Sequence, residues 1–323
     1  MVKKPRVLLT EPVFEEVAGL LSKHTELTIG QRGTYNNKEK LKDEIGGYDA
    51  LLSMLSNPID RSVIEQADNL KIIANHAVGF NNIDVEAAKQ KGIRVANTPD
   101  VLTETTAEGT FALILATVRK FSDAERSLRE GAFDGWHPTG FLGADLHGQT
   151  LGIIGMGRIG QALARRARCF GMSIIYHNRT RLPLETERSL DARFYPNLED
   201  FLSECDILSI NCPLTDETHH LINAQTLSML KPTAILINAS RGPIVEEAAL
   251  AQALHENRIG GAGLDVYEFE PEVHPLLLTA PNTVLLPHIT SATNKTRKAM
   301  GMLAAGAILN TCCGLDYPCN YIT

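Results

Sequence analysis

The chain has 323 residues, 44% hydrophobic and 21% charged, which is the length of two ordinary domains and the composition of a globular protein. Its 31 Lys and Arg against 38 Asp and Glu give a net charge of −7, which argues against nucleic acid or an anionic membrane as the main partner. No apolar run reaches the roughly 20 residues that span a bilayer. None of the six cysteines (169, 205, 212, 312, 313, 319) forms a C-x-x-C pair or stands at zinc-ligand spacing from a histidine, so reduced thiols and no metal are expected.

The opening stretch MVKKPRVLLTEP has one short apolar segment, ended by Thr10, Glu11 and Pro12. It reads as a strand over residues 6–10 and not as a signal peptide, so the cytoplasm is the expected location. A helix pattern over 13–23 follows, then a strand over 49–55, a helix over 60–67 and a strand over 70–74. A helix over 85–91 and a strand over 93–97 complete this first series. Residues 103–121 carry a long Ala-, Leu- and Ile-rich helix pattern that 123–131 continues, until Gly135-Trp136-His137-Pro138 breaks it and a loop leads to Gly148.

A second series starts at Thr150, with a strand over 151–155, a helix over 159–170 and a strand over 173–176. A helix over 198–203, strands over 207–211 and 234–238 and a helix over 246–255 follow. Strands over 261–266 and 284–287 come next, and an Ala-rich helix over 295–310 is the last element. Alternation of this kind predicts parallel sheets with helices on their faces. The expected fold is α/β, with two doubly wound parallel-sheet domains, one Rossmann-like and one flavodoxin-like. The nucleotide domain, 103–288, is inserted into a substrate domain made of 1–102 and 289–323.

The second series opens on Gly155-Met156-Gly157-Arg158-Ile159-Gly160, between a strand and a helix. In that context the glycines suit a tight turn, close approach of a pyrophosphate and close packing of helix on strand, with phosphates at the helix N-terminus. A carboxylate about 20 residues further on normally binds the ribose hydroxyls of NAD. Here the strand runs into Tyr176-His177-Asn178-Arg179-Thr180-Arg181. Asn178 does not repel a 2′-phosphate, and Arg179 and Arg181 can bind one. NADP(H) is therefore the expected cofactor, with NAD(H) the other possibility.

Three later stretches each end a strand: Asn238-Ala239-Ser240-Arg241-Gly242, Leu264 through Pro271, and Leu286 through Ser291. Carboxyl ends of parallel strands line the ligand crevice, so Arg241, Glu270 and His288 are expected to converge. Reduction of a 2-oxo acid needs a cation on the carboxylate and carbonyl, a general acid near neutrality and a partner that orients it. Arg241, His288 and Glu270 suit those roles in turn. His219 and His220 fall in a polar turn and read as solvated, and His76 reads as a packing residue.

These stretches, with Val78-Gly79-Phe80-Asn81-Asn82-Ile83-Asp84 and Asn97-Thr98-Pro99-Asp100-Val101-Leu102-Thr103, resemble the D-isomer-specific 2-hydroxyacid dehydrogenase family over nearly the whole chain. Trp136-His137-Pro138 and the Asn178-to-Arg181 turn look most like its glyoxylate/hydroxypyruvate reductase branch. The resemblance implies that Arg241 binds substrate, that His288 is the acid–base residue and that Glu270 is its partner. It implies that N–H groups of Val78 and Gly79 hold the substrate carboxylate, with Leu55 and Trp136 also at the substrate. Asp265 would meet the nicotinamide carboxamide, and Cys212 and Pro213 would join the fingerprint residues around the cofactor. Trp136 would reach a neighbouring subunit's site, so a homodimer joined through an arm at 103–148 is expected. Thr290 departs from the family's usual Gly, and Phe80-Asn81 from its Tyr-Asp. The rival readings are a 2-ketogluconate reductase or another D-2-hydroxyacid dehydrogenase and, outside enzymes, a protein that senses NAD(P)H without useful turnover.

Overall fold

A computed structural model describes residues 3–323. The chain divides into two compact units, Met1–Leu102 with Ala292–Thr323, and Thr103–Ser291.

The first unit is built on β1 (Arg6–Leu9), β2 (Glu26–Ile29), β3 (Ala50–Ser53), β4 (Ile72–Asn75) and β5 (Arg94–Asn97). These run parallel in the order β2-β1-β3-β4-β5, a flavodoxin-like winding, and a two-residue strand, Asn320–Tyr321, adds antiparallel to β5. Strands β3 and β4 are buried at every position, as a sheet covered on both faces requires. One face packs against Val17 and Leu21 of the helix Glu15–His24 and Ala304, Ala305 and Ile308 of the helix Asn294–Cys313. Side chains of Asn37, Asp60, Asp84 and Thr293 cap the helices that follow them. Where the winding reverses, between β1 and β3, Asn57 is fully buried and accepts from Thr10 Oγ1 and Met54 N, both at 2.7 Å, so protein groups occupy this crevice.

The second unit carries β6 (Thr150–Ile154), β7 (Ser173–His177), β8 (Ala192–Phe194), β9 (Ile207–Ile210), β10 (Ile235–Asn238), β11 (Gly261–Leu264) and β12 (Thr283–Leu285). All are parallel in the order β8-β7-β6-β9-β10-β11-β12, the doubly wound order of a dinucleotide-binding sheet. Helices Thr103–Val118 and Arg158–Cys169 cover one face through Ala107, Leu113, Ile114, Leu163 and Ala167. The long helix expected over 103–121 ends earlier than its pattern suggests. Lys120 takes a left-handed conformation (φ +54), which interrupts the helix, and a second helix, Phe121–Arg129, follows it.

Candidate active site

The fingerprint lies at the point where the second unit's strand order reverses, between β6 and β9. Gly155 has φ +93, and a Cβ there would stand 2.4 Å from the Cys212 nitrogen at the end of β9. A Cβ on Gly160 would stand 2.5 Å from the Gly155 carbonyl oxygen, so helix and strand meet at glycine. Around Gly157 nothing lies within 4 Å of a Cβ, and no side chain caps the helix Arg158–Cys169 that starts there. An open backbone at the start of a helix suits a pyrophosphate, so these residues fit a dinucleotide. Arg158 is exposed and Ile159 half-buried at the start of that helix, with Pro213 exposed beside the buried Cys212. Burial pushes the Cys212 thiol up to about 11.

At the end of β7, Asn178 Oδ1 accepts from Met156 N at 2.7 Å, tying the end of this strand to the glycine turn. The two arginines behind it separate. Arg181 forms a two-pronged pair with Glu187, Nε to Oε1 at 2.8 Å and Nη2 to Oε2 at 2.7 Å. Tyr176 Oη donates to the same carboxylate at 2.5 Å, and Arg181 also lies over the Phe194 ring. The sequence groups Arg181 with Arg179 as a phosphate ligand, whereas the structure commits its fork to Glu187. Arg179 is exposed, and its charge helps lower the Glu217 carboxyl after the hydrogen bond from Thr215.

Strands β10, β11 and β12 are neighbours, and their carboxyl ends bring Arg241, Glu270 and His288 to one edge. His288 Nδ1 lies 3.1 Å from Glu270 Oε2, and Glu270 Oε1 accepts from Tyr267 N at 3.1 Å. Burial acts to raise the Glu270 carboxyl, but the hydrogen bond and charge of His288, the Tyr267 N–H and the charge of Arg241 outweigh it, and its pKa is lowered. Burial lowers the Arg241 guanidinium, opposed by Glu270, and it stays cationic at any working pH. Its Nη1 donates to Ser240 O at 2.7 Å, and Asn238 Nδ2 holds the Arg241 carbonyl at 2.9 Å.

His288 itself sits at φ +56, a conformation that costs a non-glycine residue energy and persists only where the surroundings enforce it. Asp265 supplies that enforcement. Fully buried, it accepts from Ile289 N at 2.6 Å, Thr290 N at 2.9 Å and Thr290 Oγ1 at 2.7 Å. Asp265 was expected to face the nicotinamide. Both its oxygens bind the loop that carries His288, and Thr290, where the resemblance leads one to expect Gly, contributes the third bond. His220 also differs from its solvated reading, since its Nε2 pairs with Glu268 Oε1 at 2.6 Å. His76 is a packing residue: buried, 3.1 Å from Arg297 O, with its pKa lowered to about 4 by burial and then by Arg297.

Leu55, Val78 and Gly79 belong to the first unit. Beyond β4 three successive carbonyls are held: Ala77 O by Thr98 N at 2.9 Å, Val78 O by Asn97 Nδ2 at 2.8 Å and Gly79 O by Asn75 Nδ2 at 2.9 Å. In a trans peptide the N–H points opposite to the carbonyl. The N–H groups of Val78, Gly79 and Phe80 therefore point away from these partners, a local geometry that suits a small anion. Sequence reading missed Asn75 and Asn97, although each ends a strand next to that loop. Trp136 is 83% exposed in the second unit, with Phe133, Phe141 and Leu142 of the same segment also exposed. Among the described residues no helix is long and apolar enough to cross a membrane, and no group of three or more His, Cys, Asp or Glu side chains is placed to hold a metal.

A doubly wound sheet with a glycine fingerprint at its switch point and an imidazole–carboxylate pair with an arginine at its strand ends defines a nicotinamide-dependent oxidoreductase. Comparison with known proteins narrows the class. The D-isomer specific 2-hydroxyacid dehydrogenase NAD binding domain matches residues 111–290. A glyoxylate reductase of Aeropyrum pernix is 49% identical over 310 residues, 94% of this chain and 92% of that protein. The crystal structure of a glyoxylate reductase from Paecilomyes thermophila superposes with a TM-score of 0.86 at 34% identity, covering 99% of this chain and 98% of that one. An NADPH-dependent glyoxylate/hydroxypyruvate reductase from Sinorhizobium meliloti, crystallised with NADP and malonate, gives 0.85 at 35% identity, covering 98% and 97%. The chain belongs to the D-isomer specific 2-hydroxyacid dehydrogenase family and is an NAD(P)-dependent enzyme of it.

Proposed function

We propose that the protein is an NADPH-preferring reductase of small 2-oxo acids, converting glyoxylate to glycolate and hydroxypyruvate to D-glycerate. The observation that carries this reading is the 3.1 Å contact of His288 Nδ1 with Glu270, with Arg241 close enough for its charge to act on the same carboxylate. The similarity to glyoxylate reductases over 94% of the chain supports the substrate class. Exposed Arg179 behind Asn178, with no carboxylate at the ribose position, supports NADPH.

When bound, the reduced cofactor supplies a hydride to the carbonyl carbon. With Nδ1 engaged by Glu270, His288 gives its proton to the carbonyl oxygen from Nε2, and Glu270 fixes the ring and stabilises the imidazolium. Arg241 draws electron density toward the carbonyl oxygen as negative charge develops on it. N–H groups of Val78 and Gly79 receive the substrate carboxylate, with Leu55 beside it. Asp265 acts through the His288 loop. The Gly155, Gly157 and Gly160 turn with Arg158, Ile159, Cys212 and Pro213 receives the cofactor. The apolar exposure of Phe121, Leu128, Phe133, Trp136, Phe141 and Leu142, between 52% and 83%, supports a homodimer joined through this arm, with Trp136 given to the partner's site. The cytoplasm is its proposed location.

The test is the initial rate of NADPH and NADH oxidation with glyoxylate, hydroxypyruvate and 2-ketogluconate at matched concentrations. Fastest turnover of NADPH with one of the first two acids is expected. Preference for 2-ketogluconate would change the substrate, preference for NADH the cofactor, and binding of NADPH with no turnover of any acid would overturn the enzymatic reading.

A further inference from the structure

The cradle formed by the Val78, Gly79 and Phe80 N–H groups depends on how firmly three carbonyls are held from behind. Two holders are internal. Thr98 N is backbone, and Asn75 is fully buried with its Oδ1 accepting from Ser53 Oγ at 3.0 Å. The third, Asn97, has an amide that could turn over. Its Nδ2 must face Val78 O for the cradle to hold, since the reversed amide would set oxygen against oxygen. Its Oδ1 accepts from Asn320 Nδ2 at 2.6 Å, and Asn320 lies directly opposite Asn97 in the antiparallel pairing of the C-terminal strand with β5. Val78 O requires Nδ2, and with Asn320 Nδ2 on Oδ1 both ends of the Asn97 amide are paired, so its plane is held against Val78 O.

We infer that Asn320 is a positioning residue for the substrate carboxylate, acting through Asn97 on the Val78–Gly79 peptide. The inference rests on the proposed 2-oxo acid reductase reading and names what sets its carboxylate site. The exposed C-terminal strand thereby tunes substrate affinity without touching substrate. Its docking does not depend on Asn320 alone: Ile322 N donates to Val95 O at 2.7 Å, Val95 N donates to Thr323 Oγ1 at 2.9 Å, and Arg94 lies 5.4 Å from the Tyr321 ring centre. An Asn320 variant is therefore expected to fold and keep its tail in place.

The experiment measures kcat, the KM for glyoxylate and the KM for NADPH in the wild type and in the Asn320→Ala, Asn320→Asp and Thr323→Ala variants. Loss of one neutral hydrogen bond is expected to raise the glyoxylate KM about three- to tenfold in Asn320→Ala, with kcat and the NADPH KM unchanged. Asn320→Asp is expected to raise it further, because a carboxylate calls the Asn97 Nδ2 away from Val78 O. Thr323→Ala loosens the same tail without touching Asn97 and is expected to leave the glyoxylate KM where it was. An unchanged KM in Asn320→Ala, or an equal rise in Thr323→Ala, overturns the inference while the reductase reading stands. A wild type that turns over no 2-oxo acid overturns both.

Discussion

Replacing Arg179 with Ala separates two arginines that look equivalent in sequence. Arg181 commits both prongs of its guanidinium to Glu187, whose carboxylate is buried and shared with Tyr176. The proposed NADPH preference then assigns the 2′-phosphate to Arg179. A charge-assisted hydrogen bond contributes about 1.5–3 kcal/mol. Arg179 is exposed, so solvent screening puts its share at the lower end, about 1.5 kcal/mol, or roughly tenfold in affinity. The assay is kcat/KM for NADPH and for NADH at one fixed 2-oxo acid concentration. In Arg179→Ala the ratio of the two is expected to fall about tenfold, almost wholly through the NADPH KM. In the wild type the preference is expected to weaken as salt rises. Arg181→Ala is expected to leave the ratio alone and lower Tm, because Glu187 loses its cationic partner. A collapse of NADPH preference in Arg181→Ala, with none in Arg179→Ala, would refute the reasoning.

Four further outcomes follow from the same geometry. Gly155→Ala is expected to fold poorly, since it needs positive φ and a Cβ 2.4 Å from the Cys212 nitrogen. Gly157→Ala meets open space and is expected to keep its Tm while weakening cofactor binding, as thermal melts beside NADPH titrations will read. The Glu270 carboxyl is lowered from an unfolded value of about 4.3, so its ionised contacts stabilise the fold above that pH and are lost as pH falls through the lower folded value. The Tm gap between wild type and Glu270→Gln is therefore expected to shrink as pH falls below about 4.3, and a gap that widens on acidification contradicts the pairing. Burial raises Cys205 to about 12 and Cys212 to about 11, whereas Cys169 is exposed, so alkylation of the native protein at pH 8 is expected to modify Cys169 well before the other two.

The strands legible in the sequence are those covered on both faces, such as β4, β9 and β10, because burial forces unbroken apolar runs. Elements without that constraint gave no signal. Strand β2 is an edge with no buried position, the helix Lys38–Glu44 buries Leu41 alone, and the C-terminal strand has two exposed residues. The meeting of His288 with Glu270 was legible because strand ends share an edge whatever lies between them in sequence. The partners of Arg181 and Asp265 were not. Each is set by side-chain packing, Arg181 with Glu187 of the helix Leu184–Leu190 and Asp265 with the hydroxyl of Thr290. Asn97 and Asn320 stand 223 positions apart, and only the pairing of the C-terminal strand with β5 makes them neighbours.

The most direct test of the central claim is NADPH oxidation with glyoxylate by wild type and by His288→Ala, with NADPH binding to both followed by fluorescence. The account expects equal NADPH binding and a kcat lower by about 10²–10⁴-fold in the variant, the share of barrier lowering a positioned general acid supplies. Equal turnover by the two proteins would contradict it, and His288 would then be a strand-end residue whose strained backbone serves something other than proton transfer.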